Sequence, residues 1–156
     1  MFKPTRFAVR TATGRSSTSI LNAFDRAMLD ASVGEFNLIK VSSILPTGIY
    51  RTEEISGYRG EFVPAVISKA AGSDTQLTAG LAWGFREDGR GGYVMEHSVD
   101  GEKIKNEDFE HDLEEKLIKM AEYREVELED INLEYSGMAV GKDEYGCVIS
   151  VLVYLP

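Results

Sequence analysis

Cysteine is nearly absent from this sequence. Cys147 stands alone, so no internal disulfide framework can staple the fold, and a reducing compartment, the cytoplasm, is the expectation. Long apolar runs are missing too: no stretch approaches the roughly 18 residues that a membrane span needs. The opening MFKPTRFAVRTATG has basic residues but only scattered apolar ones, without the apolar centre of a secretory signal. Positive charge is in deficit, 17 Lys and Arg against 26 Asp and Glu, for a net charge of -9. That balance disfavours nonspecific binding to nucleic acid or to an anionic membrane and suits a cationic small molecule. Histidine is scarce: His97 and His111 lack HExxH spacing, so no metal site is expected. Neither Cys147 nor any serine has a histidine placed to suggest a Cys/His or Ser/His/Asp nucleophile. The glycines of GRGGYV precede a strand rather than a helix, which excludes a dinucleotide fingerprint.

What is present is the material of one compact domain: 156 residues, 43% hydrophobic and 28% charged. Ile20, Ala23, Phe24, Ala27, Met28 and Ala31 form the stripe of an amphipathic helix over residues 17–31, with serines and a threonine at 16–19 to cap it and Gly34 to end it. A second helix over 106–124 carries Phe109, Leu113, Leu117 and Met120 on one face, with Asp112/Lys116 and Glu115/Lys119 as i, i+4 pairs. Residues 36–45 read as a strand buried on both faces, ended by Pro46 and Gly48. EFVPAVISKAA is another strand after an irregular loop over 47–60. TQLTAGLAWGF and GYVMEHSV make a hairpin through REDGRG, and INLEYSGMAV and GCVISVLVYL flank the turn-like GKDEYG. Helix, strands, helix, strands in this order predicts an α+β fold of five to seven strands, its helices covering a largely antiparallel sheet.

Three features of the sequence carry chemical potential. NLIKVSSILP sets Asn37 and the adjacent hydroxyls Ser42 and Ser43 on one strand; taken alone, such a pair can simply end the strand by bonding local backbone. Asp25 lies off the apolar stripe of the first helix and can face water. Glu96, within GYVMEHS, alternates with Tyr93, Met95 and His97 and lies close to apolar neighbours whichever face is core. Burial there would favour its neutral, proton-donating form, which a general acid needs.

LNAFDRAML, NLIKVSSILP, GYVMEHS and GCVISV, in this order, resemble the pyruvoyl-dependent arginine decarboxylases over most of the chain. VSSILP, with the helix and Asn37 upstream, is the most specific part; TGIYRTEEISGYRG and the REDGRG turn depart from the family pattern. The resemblance implies an α-β-β-α sandwich, helices on the outer faces, assembled as a trimer or dimer of trimers with active sites between subunits. It implies self-cleavage between Ser42 and Ser43, giving a β chain of residues 1–42 and an α chain of residues 43–156 that begins with a pyruvoyl group made from Ser43. That group would replace pyridoxal phosphate, with no metal. Glu96 matches the family's acid, Asp25 the carboxylate that binds the guanidinium of arginine, and Asn37 an active-site asparagine. Asn37 is six extended residues from Ser43, about 20 Å, so it would serve that site only through a bend or in another subunit. Agmatine would be the product, in polyamine synthesis or acid resistance. The alternatives are another amino acid, such as histidine, as substrate, or an unprocessed, non-catalytic oligomeric binding protein.

Overall fold

The computed structural model describes all 156 residues. Two sheets face each other. One has the order β2-β5-β9-β1-β4, built from β1 (Arg6–Ser16), β2 (Asn37–Lys40), β4 (Tyr50–Arg51), β5 (Phe62–Gly72) and β9 (Tyr145–Leu155). The other has the order β3-β7-β6-β8, from β3 (Ile44–Leu45), β6 (Thr75–Arg86), β7 (Gly92–Asp100) and β8 (Leu128–Val140). Pairing is antiparallel except for β1 with β4 and β2 with β5, so the α+β reading with largely antiparallel sheets holds. No helix is long and apolar enough to cross a membrane.

Helix α1 (Ile20–Asp30) covers the outer face of the five-stranded sheet, and two of its three buried residues are alanines that let it lie close. Ala23 and Ala27 lie so close to β1 that a Cβ on Gly14 would fall 2.2 Å from the Ala23 carbonyl oxygen. Ser19 caps its start, accepting from the Asn22 N–H at 3.1 Å. Its end differs from expectation: the left-handed residue is Ser32 (φ 61), not Gly34. The Val33 N–H bonds the Met28 carbonyl and the Ser32 N–H that of Leu29, the paired bonds of a Schellman ending. Helix α2 (Asn106–Glu122) lays Phe109, Leu113, Leu117 and Ala121 on the outer face of the four-stranded sheet, against Ala82 and Tyr93. The expected i, i+4 pairs are replaced: Lys116 bonds His97 Nδ1 at 2.9 Å and Lys119 pairs with Glu122 at 2.7 Å. Both lysines find a nearer partner than the carboxylate one turn away.

Between the sheets the core falls into two parts. Phe7, Val9, Leu81, Trp83, Val94 and Leu152 pack one end, and Ala70, Leu77, Ala79, Val140 and Val148 the other. Ser68 and Ser150 lie in between, buried and directly paired across β5 and β9. A buried hydroxyl without a partner costs about 1–3 kcal/mol, and neither is left so. Ser68 Oγ donates to the His97 carbonyl on β7 at 2.7 Å. Ser150 Oγ lies 3.0 Å from Thr11 Oγ1 and donates to the Glu134 carbonyl on β8 at 3.3 Å. These hydroxyls pin one sheet to the other through the interior.

One strand lies outside the expectations, and one expectation needs correction. Residues 6–16, for which no element was expected, form an eleven-residue strand paired along its whole length with β9. Residues 36–45 are not one doubly buried strand. β2 belongs to one sheet and β3 to the other, and three of the four β2 residues are exposed. A continuous apolar run reads the same whether a strand stays in its sheet or leaves it.

Candidate functional site

The departure occurs at the serine pair. Val41 makes the last bond to the five-stranded sheet, its N–H donating to the Ala65 carbonyl at 3.0 Å. Ser43 makes the first bond to the other sheet, its carbonyl accepting from the Val94 N–H at 3.0 Å, and Ile44 then pairs with Tyr93. The Ser42–Ser43 peptide bond is therefore the step between sheets, with Ser42 exposed and Ser43 half-buried. The Ile44 N–H donates back to the Ser42 carbonyl at 3.1 Å, closing a tight turn over Ser43. The glycines dismissed as a nucleotide motif belong here. Gly91 (φ 84) runs so near β3 that a Cβ would meet the Leu45 carbonyl oxygen at 2.1 Å.

Glu96 lies farther along β7, on the same inward face as Val94. It lines a cleft of about 440 Å³ with Lys40, Ile67, Ser68, Lys69, His97 and Ser98. The apolar seal expected around it is absent: its side chain keeps 38% exposure, and Oε1 accepts from Lys40 Nζ at 3.3 Å. Oε2 is buried and has no hydrogen-bond partner. A buried carboxylate oxygen with no donor is an acceptor held ready for one. On the opposite face of β7, His97 stacks on Phe109 at 4.9 Å, and burial together with Lys116 pushes its pKa below the usual histidine value.

The other two candidates lie away from this crossing. Asn37 starts β2, at the end remote from Ser43, and its Nδ2 donates to the Gly60 carbonyl at 2.9 Å. Asp25 is exposed on α1, on the outside of the five-stranded sheet. Ser42, Ser43 and Glu96 thus gather at one edge of the sandwich, and Asn37 and Asp25 do not join them within one chain. Lys40 was missed as a neighbour of Glu96; its signal was a lone cation at the end of an apolar strand. Cys147 is fully buried, and burial pushes its thiol up to about 11, consistent with a small core residue.

In fold the chain is similar to a pyruvoyl-dependent histidine decarboxylase solved at pH 8, with a TM-score of 0.50 and 13% identity, over 83% of this chain and 61% of that one. A model of the pyruvoyl-dependent arginine decarboxylases matches residues 6–156, and the chain belongs to that family. The relative from Thermococcus kodakarensis is 31% identical over 98% of this chain and 96% of its own length. That from Methanothermobacter thermautotrophicus is 33% identical over 86% and 87%, respectively. A relative from Methanopyrus kandleri is 42% identical over 69 residues, 45% of its length. All three are named pyruvoyl-dependent arginine decarboxylases. The residues present fit such a group at position 43: a serine on an accessible peptide bond, with the unpartnered Glu96 oxygen farther along the neighbouring strand.

Proposed function

We propose that this chain cuts itself between Ser42 and Ser43 and that the mature protein converts arginine to agmatine and carbon dioxide. The observation that carries this reading is the position of the serine pair where the chain leaves one sheet for the other. Each sheet grips its own side of the bond, so a cut there leaves the fold held. Residues 1–42 stay bound through β1, with its eleven pairs to β9, and through β2 on β5. Residues 43–156 keep β3 on β7 and every strand of the second sheet.

In the cleavage the Ser43 hydroxyl attacks the Ser42 carbonyl and the peptide becomes an ester. Elimination then releases the Ser42 carboxylate, and hydrolysis with loss of ammonia completes the pyruvoyl group. That group supplies an electron-withdrawing carbonyl that accepts the electron pair left when carbon dioxide departs. Glu96 returns a proton to the substrate's α-carbon from a carboxyl held at one oxygen by Lys40. Asp25 offers two oxygens to the guanidinium, a planar donor that such an acceptor suits. Because Asp25 is exposed on α1, it acts in a site formed with a neighbouring subunit, and Asn37 does likewise. Exposed apolar side chains support an oligomer, a trimer or a pair of trimers: Leu21 on α1 is 73% exposed, Phe62 on β5 71% and Ile39 on β2 47%. The protein works in the cytoplasm.

The test is an assay of purified protein against arginine, histidine and other amino acids. Agmatine from arginine is the expected product; amine from histidine alone would replace the substrate assignment. In the same assay Asp25→Ala should raise KM for arginine about 10–100-fold with kcat changed less, the size of a lost charged hydrogen bond.

A further inference from the structure

We propose that the Ile44 N–H is the donor that stabilises the oxyanion formed on the Ser42 carbonyl during self-cleavage, and that Tyr154 is the positioning residue that aims it. This rests on the self-processing reading above. In the first step Ser43 Oγ bonds to the Ser42 carbonyl carbon and the C–N bond between the two residues breaks. The hydroxyl proton ends on the Ser43 nitrogen, so the shift from amide to ester needs no outside reactant. While that carbon is tetrahedral, negative charge lies on the Ser42 oxygen. The Ile44 N–H already stands 3.1 Å from that oxygen, within the range for an oxyanion donor.

Register explains why this N–H is free for the task. Ile44 faces Tyr93 in an antiparallel pair flanked by the bond from the Val94 N–H to the Ser43 carbonyl. In that pattern the groups of Ile44 itself point away from β7. Its N–H turns to Ser42, and its carbonyl accepts a hydrogen bond from Tyr154 Oη at 2.8 Å. Tyr154 belongs to β9 in the opposite sheet and is 4% exposed, so its phenol reaches across the interior to hold β3. Burial pushes its hydroxyl up to about 12, keeping it a neutral donor. Phe2, Pro4, Val41, Pro46 and Pro64 line the groove beside Ser42 and Tyr154. Apolar walls strengthen a hydrogen bond to developing charge.

The test follows cleavage of full-length precursor, refolded from denaturant, by mass spectrometry with and without hydroxylamine, which cuts an ester but not the amide. Ile44→Pro removes the donor and should slow the appearance of fragments about 100-fold. Tyr154→Phe removes only the aiming bond and should slow it about 5–10-fold. In both variants hydroxylamine should leave the rate slow, because the ester itself forms slowly. Cleavage of Tyr154→Phe at the wild-type rate would overturn the proposal, as would a build-up of hydroxylamine-labile ester in either variant. Wild-type chain that stays whole under both conditions would remove the self-processing reading, and this proposal with it.

Discussion

The two edges of the sandwich repeat one arrangement and use it differently. Glu96 on β7 and Glu134 on β8 flank the same residue, Leu81 on β6, so both carboxylates point toward the opposite sheet. Each meets a cation from an edge strand of that sheet: Lys40 from β2 at 3.3 Å, Arg51 from β4 at 2.6 Å. At the β8 edge the cation is shared. Arg51 also bonds Glu53 at 3.0 Å, and its guanidinium lies 5.2 Å from the centre of the Trp83 ring. At the β7 edge Lys40 is 64% exposed and Glu96 keeps a buried oxygen without a partner. An arginine shared between two carboxylates and stacked on an indole makes Glu134, bonded at Oε1, part of a clamp; Glu96, whose second oxygen is buried without a partner beside a crossing chain, can take part in chemistry.

Substitutions at the two edges should separate these roles. Glu96→Gln should still cleave at Ser42–Ser43 but lose about 10²–10⁴-fold in arginine turnover, the range for a missing general acid. Glu134→Gln should keep turnover within about twofold, since it leaves only a structural pair weakened. Steady-state kinetics on the cleaved proteins checks both, and equal losses would erase the distinction. A smaller effect should appear in thermal unfolding. Arg51→Met should lower the melting temperature by about 2–4 °C, the shift that roughly 1 kcal/mol produces in a chain of this size. Lys40→Met should change it by less than about 1 °C, because a pair so exposed is worth little.

Legibility in the sequence followed side-chain pattern. The helix α1 was readable from its apolar stripe, α2 likewise, and the β6–β7 hairpin from two apolar runs around a polar glycine turn. Strand β1 was not, because the residues that let α1 pack against it, Gly14 with Ala23 and Ala27, are small and carry little hydrophobic signal. The switch from β2 to β3 was invisible because it depends on which carbonyl each N–H finds, and the backbone is the same at every residue. Ser42, Ser43 and Glu96 could be named as candidates from residue type and family likeness. Lys40 beside Glu96 and Tyr154 on Ile44 depend on contacts across 56 and 110 residues of chain. No local pattern encodes those.

The proposed self-cleavage falls at the peptide bond where the chain changes sheets. Its most direct test is the intact mass of purified protein, with and without a reductant that traps a ketone. Fragments of residues 1–42 and 43–156, with the larger shifted in mass by the reductant, are the predicted result, and Ser43→Ala should show neither. A wild-type chain that remains whole at 156 residues after long incubation would contradict it.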